Sequence, residues 1–527
     1  MFRTIIVHMM KRFFQVLSLL ILFGVLGYFL LPKKVNPVKN GQIVLHQAKI
    51  TNYQTVKTKL AGNKNFPIYR NVSHNGGVNA FASTKYFKTA LLQSQRSAKT
   101  KNGIYWQLVA NGRIVGWVHE KFFRRNEISL AHHISLVRNS YYAFPTRDAI
   151  AYAVDQHGTL INPKRVQVSR KTINSTNPGT YLITYRYGNI RAKTQVIVRT
   201  NNNEGITVAN KVATPGPAEA SSFSGSSCSS SPNWNLGNNY QPETKINTYH
   251  GKNKATMKTV FYQPRFHLLD YQQYTDQLNQ VGVIPEGISL FQNHLTVSYF
   301  SQPNSNWGHL VTYNLNHLTN PIKTQNLLNM NWSDFIHTSQ NINVSPYLKL
   351  GHGQSLGMTK KYLYVLASSN QQANSAKSEE LLQISRKNYQ IKNLWTIKVW
   401  NHSEYFPRYF HNAFIINNHL IYAVFHNASK GSYEYWRLTR QGDSWTPTEI
   451  SATQSNFVKE NSPLQGFTYA NSHFYLAFND NVFETNNLGK TLKHYQFHTL
   501  RETEGIAVQD NRPYVELARR PELLAVK

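Results

Sequence analysis

Apolar and polar residues alternate with a period of two along most of this chain beyond residue 43, and no long stretch carries a helical period. Such alternation puts successive side chains on opposite faces of a strand. It is clearest in GIYWQLVANGRIVGWVHEKFF, Gly103 to Phe123. There it runs through Tyr105 and Val109, stops at Asn111-Gly112, and resumes through Ile114, Val115 and Val118. Asn-Gly between two alternating runs predicts a hairpin whose second strand carries Gly116-Trp117.

From Ile134 to Arg199 the same pattern continues with regular turn signals. AIAYAVDQHGTLINPKRVQVS gives strand, His-Gly turn and strand; NPGTYLITYRYGNIRAKTQVIVR alternates through Tyr181, Ile183 and Tyr185, turns at Gly-Asn, and resumes at Val196 and Val198. Residues 200–252 then lose the pattern and become rich in Ser, Asn, Gly and Pro. That composition predicts a flexible linker, because it buries too little apolar surface to offset the entropy of ordering.

Beyond it one design recurs: EGISLFQNHLTVSYF from Glu286, HGQSLGMTKKYLYVLA from His352, HNAFIINNHLIYAVF from His411, QGFTYANSHFYLAFN from Gln465 and EGIAVQDNRPYVELA from Glu504. Each copy is a polar residue, usually a Gly, an apolar strand, a turn, and an aromatic-apolar strand. Repetition at this spacing predicts a β-propeller of about five blades over 253–527. The last copy is short, so a strand from 255–270 is expected to complete its blade and close the ring. A large β-sandwich is the alternative architecture.

The N-terminus departs from all of this. Arg3, Lys11 and Arg12 precede FFQVLSLLILFGVLGYFLL, Phe13 to Leu31. As a helix, its residues span roughly 28 Å, about the hydrocarbon thickness of a bilayer. Residues 1–34 are read as an uncleaved signal-anchor, a single-pass transmembrane helix with the rest of the chain outside; cleavage near Gly27 and secretion is the alternative. Lys33, Lys34 and Lys39 flank the outer end, so the positive-inside bias is weak. The single cysteine, Cys228, excludes an intrachain disulfide.

Charge then narrows the partners. The chain carries 57 Lys and Arg against 25 Asp and Glu, a formal net charge of +32, which attracts polyanions. An outward-facing chain rarely meets DNA, so nucleic acid is not an expected partner. Around the hairpin, Lys85, Lys88, Arg96, Lys99, Lys101, Arg113, Lys121, Arg124 and Arg125 face only Glu120 as counter-charge in their sequence neighbourhood. A polyanion engaging them releases counterions, so binding should weaken with salt.

Residues 43–125 resemble the GW module, the SH3-like barrel of Gram-positive surface proteins, through ITNYQTVKT, FPIYRNV and GIYWQLVANGRIVGWVHEKFF. The resemblance implies non-covalent attachment to an anionic cell-wall polymer such as lipoteichoic acid. The residues assigned to that contact are Trp106, Arg113, Trp117, Lys121, Arg124 and Arg125; the two tryptophans can equally be barrel core. Residues 134–199 look like a bacterial Ig-like β-sandwich, which implies a spacer. The propeller repeats are similar to those of helveticin-type bacteriocins. The whole is thus read as an all-β multidomain chain behind a membrane anchor.

Glu286, His352, His411, Gln465 and Glu504 begin the expected innermost strands, so ring geometry gathers them at a central channel. Carboxylates with amide oxygens suit Ca²⁺, and added histidines suit Zn²⁺ or another transition ion. Alternatively these groups cap strand starts and hydrogen-bond one another, or Glu286 and Glu504 act as acid and base. P-loop and zinc-finger patterns are absent. Two functional classes follow: a surface protein that grips the wall and presents its propeller to a glycan or protein, and a metal-dependent hydrolase. A secreted bacteriocin is a third.

Overall fold

Period-two patterning becomes sheet nearly everywhere in the computed structural model. It describes residues 49–60, 65–84, 91–110, 113–131, 134–138, 142–156, 161–199, 206–212, 220–222, 243–264, 284–300, 306–325, 332–367, 379–401, 407–408, 410, 412–442, 444–454, 457–458, 463–518 and 521–527. The predicted anchor at 1–34 lies outside these residues. Among the described residues no helix is long and apolar enough to cross a membrane. The α-helices among them, Pro321–Thr324 and Trp332–Gln340, are short.

The first unit is a six-stranded sheet of β1 (Lys49–Leu60), β2 (Pro67–Ser73), β3 (Gly76–Ser83), β4 (Leu91–Thr100), β5 (Gly103–Ala110) and β6 (Arg113–His119), in the order β1-β4-β5-β6-β2-β3. The predicted hairpin is β5–β6, with Ala110 opposite Arg113 and Tyr105 opposite His119. Gly116 lets β2 close onto it. A Cβ there would stand 2.7 Å from Ile68 Cγ2 and 2.8 Å from the Tyr69 carbonyl oxygen. With that atom absent, Tyr69 pairs opposite Trp117, which packs with Val72, Ala98 and Tyr105. Ile68, Trp106, Leu108, Val118, Phe122 and Phe123 form a second cluster, continuous with Leu295, Val297 and Tyr313 of the C-terminal unit.

The second unit begins at 127, before the expected 134, because Glu127–Leu130 pairs with Ile150–Val154. Its largest sheet runs Gln167–Val168, Gly179–Tyr187, Ile190–Val198, Ile134–Leu136. Ile134, Ile150, Ile173, Ile183, Tyr185 and Val196 share one core. Phe144 lies 6.3 Å from Trp307, which stacks on Tyr347 at 5.5 Å, so this unit sits directly on the C-terminal one.

Five sheets, antiparallel but for one added edge strand in each of two, form the C-terminal unit. Their innermost strands are Ile284–Phe291, Ser355–Met358, Asn412–Ile415, Gly466–Ala470 and Thr503–Gln509. Each packs against the next and the last against the first, a closed ring of five blades rather than a sandwich. As expected, a strand from 255–270 completes the fifth blade: Thr256–Tyr262 pairs with Glu522–Val526. The seam is polar and buried. Glu522 accepts from Thr259 Oγ1 and from Asn247, and pairs with Arg501, which also donates to the Ala518 carbonyl at 3.1 Å.

The repeated polar-Gly step has a steric cause. A Cβ at Gly287 would stand 2.4 Å from the Gln354 carbonyl oxygen, and one at Gly466 would stand 2.7 Å from the Ile506 nitrogen. Inner strands therefore meet backbone to backbone around the axis.

Two described segments of the expected linker at 200–252 form strands. Ile206–Val212 pairs in parallel with Ile391–Asn401 at the rim of the second blade, and Ala220–Ser222 pairs with Ser444–Gln454 at the rim of the third. Outer blade strands present unpaired N–H and C=O groups, which an extended segment satisfies whatever its composition.

Candidate functional site

Turn contacts assemble one end of the first unit. The Lys101 N–H donates to the His74 carbonyl at 2.7 Å, tying the β2–β3 turn to the β4–β5 turn. His119 Nδ1 accepts from the Lys121 N–H at 3.1 Å, so its Nε2 carries the proton and donates to the Asn102 carbonyl at 3.1 Å. Gly103 makes room, since a Cβ there would stand 2.6 Å from His119 Nε2. Lys99, Lys101 and Lys121 are exposed at this end, and exposed Arg70 lies 4.6 Å over the Phe81 ring.

The sequence-assigned polymer contacts divide. Trp106 and Trp117 are 6% and 2% exposed, so both are core and neither offers a ring face to a polymer. Arg124 pairs with Glu127 at 2.9 Å and lies 5.5 Å over the Tyr152 ring. Arg125 pairs with Glu120 at 3.3 Å. Arg124 thus ties the first unit to the second, with Glu127 as its counter-charge, while the Arg125–Glu120 pair lies within the first unit. Lys121 remains exposed, while Lys85, Lys88 and the Arg113 side chain lie outside the described residues.

At the propeller axis the polar ring differs from the expected one. Glu286, Gln465 and Glu504 begin inner strands and are nearly buried. Gln354 and Asn412 hold the equivalent places in the second and third blades. Gln354 Nε2 donates to Gln465 Oε1 at 3.0 Å across the mouth, and Asn412 Nδ2 donates to the Leu464 carbonyl at 2.9 Å. His352 reaches Glu286 from the preceding loop, Nε2 to Oε2 at 3.6 Å. His411 lies outside the described residues. Placing the strand starts one or two residues later, at the residue before the small Ser355 or Ala413, would have found both amides.

Among the described residues no three His, Cys, Asp or Glu side chains come together as metal ligands. Between the inner strands, at Ile288, Leu356, Phe467 and Ile506, the axial space is about 10 Å³, room for roughly one water. Gly353-Gln354-Ser355-Leu356-Gly357 does have the spacing G-x-S-x-G, yet Ser355 is buried on an inner strand and its hydroxyl accepts from the Ala413 N–H at 2.8 Å. A nucleophile elbow needs an exposed strand-to-helix turn, which is not what this segment forms.

No curated protein matches the chain in sequence. Among solved structures, BamB from Moraxella catarrhalis aligns over 56% of this chain and 97% of its own, at 8% identity and a TM-score of 0.24. A gluconolactonase from Xanthomonas campestris aligns over 56% and 98%, at 7% identity and 0.27. At such scores these likenesses carry no argument, and the ring rests on its own strand pairing. Residues 46–124 match the family model of the GW (Gly-Tryp) dipeptide domain, the unit that bears the exposed lysine end.

Proposed function

We propose that the chain is a cell-envelope protein that binds an anionic wall polymer of the lipoteichoic-acid kind through the lysine end of its GW module. In this reading residues 1–34 anchor it in the membrane, and the propeller faces outward to recognise a glycan or protein. The GW match at 46–124 carries the reading. Exposed Lys99, Lys101 and Lys121 beside the His74–His119 turns give it a chemical surface. Polyanion binding there is electrostatic and salt-sensitive.

The test is Lys101→Gln with Lys121→Gln in the full chain. Retention on polymer-bearing cells should weaken, and the slope of log affinity against log salt should become shallower by roughly 1.4 for two lost contacts. Unchanged retention and slope would remove the module from this role. Protease added to intact cells tests the topology, since digestion of the part beyond residue 34 is expected.

A further inference from the structure

The second blade carries a basic groove that the GW reading does not use. Register places two of its turns at one end. Met358 pairs with Leu363, Tyr362 with Ser385 and Ile384 with Ile391, so turns 359–361 and 386–390 lie side by side. The axial mouth with Glu286 and Glu504 lies at the opposite end of the blades, because it is formed where the inner strands begin.

Between these turns and the first blade, at Thr312 and Asn343, runs a groove of about 540 Å³. That is within the range of small-ligand sites, about 300–1,000 Å³. Five cations line it: Lys360, Lys361, Arg386, Lys387 and Lys392, with no carboxylate among the lining residues. Among the described residues none of the five is in an ion pair. The four lysines are exposed.

Arg386 organises the groove. Its Nη1 donates to the Thr359 carbonyl at 3.0 Å and reaches the Lys360 carbonyl at 3.4 Å, and its N–H donates to the Lys361 carbonyl. One edge of the guanidinium is thus fixed to the opposing turn. Tyr389, at φ 56°, folds back so that its N–H donates to the Ser385 carbonyl at 2.8 Å. Burial, partly offset by the Arg386 charge, pushes the Tyr389 hydroxyl up to about 12, so it stays neutral and adds no negative charge.

We infer that this groove is a second anion site, built for a linear polymer of phosphodiesters without bases. Four like charges held on two adjacent turns, with Lys392 on the strand that follows, repel one another, and an anionic chain lying along them relieves that repulsion. Phosphate oxygens match the planar guanidinium fork and the mobile ammonium groups alike. Single-stranded nucleic acid fits less well, because its binding relies on exposed aromatic faces. Here Tyr389 is half-buried and Tyr362 packs at 6.3 Å on Tyr364.

The experiment uses the full chain, deacylated glycerol-phosphate polymer as probe, and Lys361→Gln/Lys387→Gln/Lys392→Gln as the groove variant. It is run with Lys101 and Lys121 intact and again with both replaced by Gln, so the two sites fail separately. In each background the groove variant should bind at least tenfold more weakly. Its log–log salt slope should fall by about 2, so that between 50 and 200 mM salt it loses about twentyfold less affinity than its parent. The corresponding triple Lys→Arg variant should keep parental binding. Unchanged affinity and slope in the Gln variant, or equal loss in the Arg variant, would overturn the site. Tighter binding of single-stranded DNA of equal charge would overturn the choice of a base-free polymer.

Discussion

Glu516 offers a test of how the ring is closed. It lies on the strand Arg512–Leu517 of the fifth blade with 0% exposure. Gln263, just past the closing strand Thr256–Tyr262, donates from Nε2 to Glu516 Oε1 at 2.6 Å. Gln263 Oε1 accepts from Tyr299, which contacts the Tyr313 hydroxyl at 2.9 Å on the first blade. Burial pushes the Glu516 carboxyl up to about 8, more than the Gln263 bond and the Arg501 charge draw it down. The folded protein therefore holds a proton that the unfolded chain, with an ordinary value of about 4.3, gives up. A raised value means the stabilisation is full below about pH 4.3 and is lost as pH rises through about 8. The loss is on the order of 3–4 kcal/mol by pH 7 and about 5 kcal/mol by pH 9.

Glu516→Gln keeps the shape and the acceptor for Gln263 but cannot ionise. Urea midpoints of the full chain, measured from pH 5 to 9, should fall with pH in the natural protein and much less in the variant. The two curves should cross, leaving the variant the more stable above about pH 7. Asp148, pushed up to about 6 by burial, titrates in both proteins and cancels in the difference. Parallel curves across this range would refute the neutral Glu516 and the closing network built on it.

Other outcomes follow from the same packing. Gly116→Ala puts a methyl against Ile68 and the Tyr69 carbonyl, and should destabilise the GW module by roughly 1–3 kcal/mol, read as earlier unfolding and faster proteolysis there. Arg501→Met strands buried Glu522 and should cost about 3–5 kcal/mol in denaturant unfolding, with Arg501→Met/Glu522→Leu recovering much of it. Gly466→Val forces the fourth inner strand off the fifth and should abolish cooperative unfolding of the ring, while Gly431→Ala, in an open turn, should leave the ring folded at a far smaller cost.

Much of this architecture is legible in the residues themselves, because strand alternation and turn chemistry are local. The β5–β6 hairpin, the five inner strands and the closing strand near 256–262 all follow from period two and from Gly or Asn at turns. What depends on distant partners is not legible. The cations of 121–125 have only Glu120 as counter-charge in the sequence reading, yet Arg124 meets Glu127 and rests on Tyr152 of the next unit. A Gly-Trp pair reads equally as surface or core until Tyr69 is brought opposite it. His352 is adjacent to the axis but enters from a loop, whereas Gln354 occupies the strand start. Strand pairing at 206–212 and 220–222 is hidden for a different reason: open blade edges, not composition, decide it. The groove of the second blade joins lysines some 25 residues apart, which only the register of two hairpins makes neighbours.

Contact between an acidic wall polymer and the lysine end of the first unit is the step from which the rest of the proposed role follows. Titrating full-length protein and its Lys101→Gln/Lys121→Gln double variant with purified lipoteichoic acid across a salt series probes it most directly. The account predicts a straight decline of log affinity with log salt, steeper in the natural chain than in the variant. Affinity that ignores salt, or is identical for the two proteins, would contradict it.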